Sequence, residues 1–346
     1  MAARIFKRIL VAGLALFGLA AGLAFFLYLV PSNEYILLPD RARPLAPFVK
    51  VRGEQPDRDG GGIYYVAVEI KKASILEKIF PRIHDGSTLV PASLILGPKE
   101  SEKQHQRQEF QAMALSQQVG AAVALKALGY PVTLQSPGTV VESVDPQGPA
   151  AGKLRDQDVI VSVDGRPTPT LPELRQVVRS HRPGERVQVT VRRGGKTRRV
   201  VVKTIPDPQD PSKPLIGVAT SCTAQTFTKI DLPIAVHIDL GQVGGPSAGL
   251  AFGLDVVEEL GHDVDRGHKV AASGEICADG TVVPVGGLKQ KTIGARRAGV
   301  DVFLVPAGEN TAEARRYAGS MRVIAVHSFR QALHALATLP RKRPKT

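Results

Sequence analysis

Three patterns of hydrophobic and polar positions follow one another along the chain. From Ile9 to Val30 the residues form one apolar stretch of 22 residues without a charge. At about 1.5 Å per residue, a helix of that length spans a hydrocarbon core of roughly 30 Å. Residues 31–128 begin β-rich, with Ile63 to Ile70 as the clearest strand pattern, and a helical periodicity then extends from Lys99 to Leu128. We find no chemistry in residues 31–128 and interpret them as a spacer or docking region.

The apolar stretch decides the compartment. Arg4, Lys7 and Arg8 precede it, so the positive-inside rule places a cytoplasmic tail at residues 1–8 and exports everything after the stretch. A cleaved signal peptide is the alternative, but its apolar core is usually about 7–15 residues long and ends at small residues. Here the stretch ends Phe25-Phe26-Leu27-Tyr28-Leu29-Val30-Pro31. The pattern therefore favours an uncleaved, single-pass transmembrane anchor at residues 9–30.

The segment 129–205 has the rhythm of a small β-rich domain. Strands are predicted at Gly138–Val144 and Asp158–Val163, followed by an amphipathic helix at Leu171–Ser180. Two further strand patterns flank Gly194-Gly195, which is a hairpin signal.

This order of elements, with Gly148-Pro149-Ala150-Ala151 followed by Leu154 to Ile160, resembles a bacterial PDZ domain. One departure is Gln157, where the family usually has Gly in a tight turn. PDZ domains bind peptides by adding a strand to a sheet edge. The resemblance implies a carboxylate-binding loop near Leu128, Gly129 and Tyr130.

In the last segment, 206–346, a Gly-rich junction carries a serine between a predicted strand and a predicted helix. The junction reads Gly244-Gly245-Pro246-Ser247-Ala248-Gly249 and the helix follows from Leu250 to Leu260. Glycines allow a sharp turn, and unpaired N–H groups at a helix start can stabilise an oxyanion. A structural turn in which Ser247 merely caps the helix is the competing interpretation.

A second motif, Gly286-Gly287-Leu288-Lys289-Gln290-Lys291, precedes a predicted helix from Thr292 to Ala298, and a hairpin pattern from Ala272 to Gly280 lies between the two motifs. Together they closely resemble the proteolytic domain of the Lon family. The resemblance implies that Ser247 is the nucleophile and Lys291 its base, with Lys289 structural or at the surface.

The resemblance also assigns supporting roles. Ser273 replaces a common Thr and keeps a hydroxyl that could bond to Lys291, while Gly245 and Pro246 shape the turn of the nucleophile. Gly244 stands where many Lon enzymes have Asp. A lysine serves as a base only when neutral, so Lys291 is expected to be buried among apolar groups that lower its pKa.

Two other function classes remain open. Gly245 to Gly249 also fits the G-x-S-x-G elbow of an esterase, which would use His327 or His334, but that fold would leave the Lys291 motif unexplained. The other is a non-enzymatic PDZ scaffold with an inactive last domain.

Composition adds limits to this interpretation. The formal net charge of +13 is attributed to solvated strand faces and a basic tail, and no nucleic acid partner is expected. Gly195-Lys196-Thr197 lacks the preceding Gly of a phosphate-binding loop, since position 190 is Thr, so we expect neither nucleotide hydrolysis nor a cofactor. The two cysteines, Cys222 and Cys277, permit one disulfide bond or two buried thiols, and neither has metal-ligand spacing.

The expected fold class is therefore multidomain α+β: an N-terminal transmembrane helix, a β-rich region, a PDZ domain and a Lon-protease-like C-terminal domain. The chain resembles the membrane-anchored PDZ/Lon-domain proteins of bacteria. That resemblance implies ATP-independent cleavage of unfolded or flexible proteins outside the cytoplasm, with protein or peptide substrates as partners. It also implies a homo-oligomer, since Lon domains tend to form hexameric rings.

Overall fold

The computed structural model describes residues 2–52, 60–97, 100–208, 210–220 and 227–342. The fold is mixed α/β, as expected. Its helices are α1 (Ala2–Leu29), α2 (Ile75–Ile79), α3 (Glu102–Ala127), α4 (Leu171–Arg179), α5 (Gly249–Glu259), α6 (Leu288–Arg297), α7 (Glu309–Tyr317) and α8 (Phe329–Ala337). Short 3₁₀ helices lie at Pro81–Ile83, Ala92–Leu94 and Pro246–Ala248.

The strands fall into three groups along the chain. The first group is β1 (Pro31–Pro39), β2 (Arg43–Pro44), β3 (Val49–Val51), β4 (Gly62–Tyr65), β5 (Val68–Ser74) and β6 (Thr88–Pro91). The second is β7 (Thr133–Gln135), β8 (Thr139–Val140), β9 (Ser143–Val144), β10 (Val159–Val163), β11 (Arg166–Pro167), β12 (Arg186–Arg193) and β13 (Lys196–Lys203). The third is β14 (Ile205–Pro206), β15 (Pro214–Leu215), β16 (Val218–Ala219), β17 (Lys229–Asp231), β18 (Val236–Ile238), β19 (Lys269–Ala272), β20 (Glu275–Ile276), β21 (Val282–Val283), β22 (Val302–Pro306) and β23 (Arg322–Val326).

Helix α1 contains a stretch, Leu10–Leu29, with a mean hydropathy of 2.4, and none of its residues is buried against the rest of the protein. By length and composition this helix can cross a membrane, and a signal sequence near an N-terminus would meet the same criterion.

The central sheet joins distant parts of the chain. Its order is β2-β4-β19-β22-β23. The strands from β4 to β23 are parallel to one another, and the edge strand β2 is antiparallel to β4. Residues along β22 alternate between two cores: Leu304 packs with α3, α5 and α8, whereas Phe303 packs with α6 and α7. The sheet is therefore covered by helices on both faces, as parallel sheets require.

The domain boundary expected at residue 128 does not separate two packing units. Strand β4 pairs with β19, β3 pairs with β18, and Val119 and Val123 of α3 are buried in the same core as Phe252 of α5. Residues 31–128 thus complete the C-terminal domain. Helix α3 ends as predicted, because Gly129 adopts a φ of 86° and Tyr130 N–H bonds to Leu125 O at 3.0 Å.

The middle domain has the predicted strands, helix and hairpin. Its five-stranded sheet has the order β11-β10-β12-β13 with β8 beside β10, and Gly194 and Gly195 turn the β12–β13 hairpin with positive φ. Residues beyond the boundary expected at residue 205 also pack on this domain, because β16 pairs with β9 and Ile216 is buried in its core. Gln157 adopts a φ of 66°, the left-handed conformation for which Gly is favoured.

Candidate active site

The serine singled out by the sequence lies in a tight turn after β18. Ser247 is the middle residue of the 3₁₀ helix Pro246–Ala248, which leads directly into α5. Gly245 precedes it with a φ of 90°, and a Cβ on Gly249 would lie 2.8 Å from Ser116 Oγ and 2.9 Å from Ile276 Cγ2. The glycines therefore serve two needs, a left-handed backbone and close packing against α3 and β20.

The backbone of this turn is held from two sides. Gly274 N–H donates to the carbonyl of Ser247 at 2.8 Å, and Ser273 Oγ, which is fully buried, donates to the same carbonyl at 3.4 Å. From α3, Ser116 Oγ donates to Pro246 O at 2.8 Å. The Ser273 hydroxyl, which the sequence suggested as a partner of Lys291, therefore contacts the backbone of Ser247.

The lysine singled out by the sequence lies inside a helix rather than before one. Helix α6 begins at Leu288, with Gly287 as its N-cap at a φ of 72°, so the predicted start at Thr292 was four residues late. Gly287 is suited to this position because it can adopt positive φ, and Val68 packs where a Cβ would be, 2.8 Å away. The side chain of Lys291 is consequently directed by a regular helix.

Lys291 is 4% exposed. Burial, which disfavours the ammonium form, lowers the pKa of Lys291 from 10.5 to about 7, while the carboxylate of Glu109 opposes the shift. Its neighbour Lys289 has a different environment: its ammonium donates to Ser87 O at 2.7 Å and Thr88 Oγ1 at 3.2 Å. Lys289 therefore ties α6 to the β1–β5–β6 sheet, in agreement with the expected structural role.

Ser247 and Lys291 line the same cleft, which has a volume of about 720 Å³. The cleft also contains Gly245 and Pro246, so it brings together four of the residues that the sequence selected. Other walls of the cleft include residues 66–70, residues 284–287, and Glu109 and Met113 of α3. The histidines required by the esterase interpretation, His327 and His334, are not among its lining residues.

One acidic residue in the cleft was missed by sequence reasoning. Glu109 lies on α3, and its carbonyl accepts a hydrogen bond from Gly245 N–H at 2.9 Å. A Cβ on Gly244 would lie 2.9 Å from Glu109 Cβ, so the absence of a side chain at residue 244 leaves space for Glu109. The sequence shows Glu109 only as one more polar residue in a helical pattern, because its contact with residue 245 spans more than 130 positions.

The groove of the middle domain lies away from the predicted loop. Leu128, Gly129 and Tyr130 lie at the C-terminal end of α3, and their assignment to peptide binding stays a prediction. A groove of about 290 Å³ lies instead between α4 and residues 214–220, and its lining includes Leu174, Val178, Ile216 and Val218. One edge of β16 pairs with β9, and the residues of β16 line the groove opposite α4.

Two further side-chain groups lie outside the lining of the cleft. Cys277, directly after β20, is disulfide-bonded, and Cys222 lies outside the described residues. Among the described residues, the carboxylates of Glu258, Asp263 and Asp265 lie within 4.8 Å of one another at the end of α5 opposite Ser247. Burial and the nearby Asp265 raise the pKa of Glu258 to about 7.

Comparison with known families agrees with this geometry. Residues 126–204 match the family model for the PDZ domain, and residues 218–337 match that for the Lon protease (S16) C-terminal proteolytic domain. The chain thus contains a PDZ domain and a Lon-type proteolytic domain.

Individual relatives match parts of the chain. Lon protease 2 of Herpetosiphon aurantiacus is 44% identical over 82 residues, which cover 23% of this chain and 10% of that protein. The Lon protease of Rickettsia felis is 35% identical over 117 residues, covering 32% of this chain and 15% of that protein. A crystal structure of the PDZ domain of the SdrC-like protein from Listeria monocytogenes has 26% identity and a TM-score of 0.24, and the match covers 25% of this chain and 92% of that one.

The chain therefore spans only about a tenth to a seventh of the length of these Lon proteases. The family match and these relatives support a serine peptidase.

Proposed function

We propose that this protein is a membrane-anchored serine endopeptidase that cleaves unfolded or flexible proteins outside the cytoplasm without ATP. The observation that carries the proposal is the joint presence of Ser247 and a buried Lys291 in one cleft of the Lon-type domain. A lysine whose pKa is lowered to about 7 is substantially neutral near neutral pH and can act as a base.

In the proposed reaction, the neutral amine of Lys291 takes the proton of Ser247 Oγ as that oxygen bonds to the peptide carbonyl carbon. The protonated Lys291 then gives its proton to the leaving amine as the C–N bond breaks, leaving an acyl-enzyme. A water molecule, deprotonated by Lys291, then bonds to the acyl carbon; the ester bond to Ser247 Oγ breaks, Lys291 returns the proton to that oxygen, and the second product leaves as a carboxylate. Ser247 and Ala248 lie in the first turn of a helix, where N–H groups lack intrahelical partners, so these groups are candidates for oxyanion stabilisation.

Glu109 has an electrostatic role in this proposal. It provides a carboxylate beside the turn of the nucleophile, near the position where many Lon enzymes carry Asp and this chain has Gly244. Its negative charge stabilises the lysine cation that forms after proton transfer, and it raises the pKa of Lys291 against the effect of burial.

Three features support location outside the cytoplasm. The span Leu10–Leu29 is long and apolar enough to anchor the chain. Arg4, Lys7 and Arg8 precede it, as the positive-inside rule requires of a cytoplasmic tail. Cys277 is disulfide-bonded, and such bonds persist mainly in oxidising compartments. Assembly into a hexameric ring remains part of the proposal by family resemblance.

The PDZ domain is proposed to hold substrate tails or regulate cleavage. The groove between α4 and β16 has an apolar floor that includes Leu174 and Ile216, and the residues of β16 that line it can pair with an extended peptide. Arg175 and Arg179 at its margin favour peptides that carry acidic side chains.

The test is cleavage of casein by the purified full chain in detergent without nucleotide, compared with Ser247→Ala. We expect cleavage by the native chain, loss of cleavage in the variant, and no stimulation by ATP. Equal cleavage by both proteins would refute the role of Ser247. A chain that binds peptides through its PDZ groove but cleaves nothing would favour the non-enzymatic scaffold.

A further inference from the structure

An apolar patch lies on the surface beside the end of the N-terminal helix. It consists of Ile79, Phe80 and Ile83, which are 54%, 57% and 49% exposed. Large apolar side chains exposed singly are common, but three within five positions on one short segment indicate a contact surface. We call this group the α2 patch.

The α2 patch begins where α1 ends. Ile75 N–H, at the start of α2, donates to Val30 O at 2.9 Å, and α2 packs against α1. The ammonium of Lys71 lies 5.9 Å from the centre of the Tyr28 ring in the last turn of α1. A five-residue helix advances only about 7–8 Å. Phe80 therefore lies at most about 8 Å from the start of α2, which is comparable to the depth of one headgroup region.

The patch is held by a buried acidic residue. Glu77 is 1% exposed, its backbone N–H bonds to Ser74 Oγ at 3.1 Å, and its carboxylate accepts the Ser74 N–H at 2.8 Å. Lys71 and His84 contact the same carboxylate at 3.1 and 2.8 Å. Burial alone would raise the pKa of Glu77, but these hydrogen bonds and ion pairs outweigh burial and lower it to about 2. Glu77 thus holds both α2 and the turn after it in place, so the side chains of the patch are presented by an ordered segment.

The charges around the patch favour a lipid surface. Lys72, Lys78 and Arg82 are exposed on the same segment, where Lys72 pairs with Glu102 at 2.5 Å and Lys78 pairs with Glu34 at 3.0 Å. Surface ion pairs of this kind contribute little stability, so they leave both ammonium groups able to exchange to lipid phosphates. Apolar side chains flanked by lysine and arginine are the composition that binds the interface of membranes containing anionic lipids.

We propose that the α2 patch inserts into the headgroup region of the leaflet in which α1 ends, as a second attachment of the catalytic domain to the bilayer. This inference rests on the anchor included in the proposed function. It goes beyond that function, because a single helix leaves the attached domain free to tilt, whereas two neighbouring attachments fix which surface of the domain faces the lipid.

The attachment would also limit the reach of the cleft. Strand β1 starts beside the membrane, where Pro31 pairs with Ser74, and ends at the cleft, where Pro39 pairs with Val68. Nine residues of strand extend roughly 30 Å. Substrate segments would therefore be cleaved within about that distance of the bilayer.

The chain contains no Trp, so a single Trp can report on the patch. The test uses the full chain carrying Phe80→Trp and Ser247→Ala, reconstituted in nanodiscs of phosphatidylcholine and phosphatidylglycerol with or without brominated acyl chains. The matched control is Val201→Trp in the same Ser247→Ala chain, because Val201 is 49% exposed on the PDZ domain. The Ser247→Ala background separates this result from any failure of peptidase activity.

We expect blue-shifted emission from the Trp at position 80 and loss of that emission in brominated discs, with neither effect at position 201. Red-shifted, unquenched emission at position 80 would overturn the proposal. A blue shift without quenching would also overturn it, since protein and not lipid would then cover the patch. A full chain that does not co-purify with nanodiscs would refute the anchor and this proposal together.

Discussion

The environment of Lys291 predicts the pH dependence of cleavage. Burial lowers the pKa of this lysine from 10.5 to about 7. At pH 7, the neutral fraction then rises from roughly one in three thousand to about half. The same shift corresponds to about 5 kcal/mol of unfavourable burial of the cation. If Lys291 is the base, kcat/KM should increase about tenfold per pH unit below 7 and level off above about 8.

Glu109→Gln tests the cause of this profile. Removing the carboxylate removes the charge that raises the pKa of Lys291, so the midpoint should move to lower pH. The rate on the high-pH plateau should fall, because the lysine cation formed after proton transfer loses its stabilising charge. The matched control is Glu69→Gln, which neutralises another carboxylate of the same cleft that does not contribute to the shift. Asp40 and Glu275 are the remaining acidic residues that line the cleft.

The assay is hydrolysis of a fluorogenic peptide by the full chain between about pH 5.5 and 9.5, the range that brackets the expected midpoint. A native midpoint near that of an exposed lysine would contradict the burial argument. A midpoint that is unchanged or raised in Glu109→Gln would contradict the role of Glu109.

Three further predictions follow from the same structure. Lys291→Met should abolish cleavage and should raise the free energy of unfolding by a few kcal/mol at pH 7, because folding no longer has to bury a group that is a cation in the unfolded chain. Thermal unfolding at pH 7 measures this gain, and unchanged stability would contradict the prediction. Ser116→Ala removes the hydrogen bond to Pro246 O and should lower kcat more than it changes KM, with a loss of about 1 kcal/mol in the free energy of unfolding. Full activity of this variant would show that the hydrogen bond does not position the turn around Ser247. Gln157→Gly removes the steric cost of a side chain at a left-handed φ and should stabilise the PDZ domain by up to about 1 kcal/mol, as measured by denaturant unfolding. Destabilisation would show that contacts of the Gln side chain outweigh that cost.

Motifs that act over a few residues could be recognised directly from the sequence. The hairpin at Gly194-Gly195, the helix ending at Gly129 and the Gly-rich turn around Ser247 all depend on local backbone geometry, which glycine patterns specify. The 22-residue apolar stretch likewise indicates a span through its length alone. The start of α6 was misplaced because Gly286-Gly287 indicated a loop, whereas Gly287 is the N-cap of the helix.

Contacts between distant residues were decided only by the tertiary structure. No periodicity within residues 31–128 reveals that β4 pairs with β19, or that α3 brings Glu109 and Ser116 against the turn that carries Ser247. The groove between α4 and β16 was not predicted for a similar reason, since these elements are about 40 positions apart and meet only when the sheet forms. Sequence indicated the candidate reactive groups and their local turns, because these depend on neighbouring residues. Burial of Lys291, and with it the lowered pKa on which its proposed role as a base depends, is decided by the distant segments that pack around it.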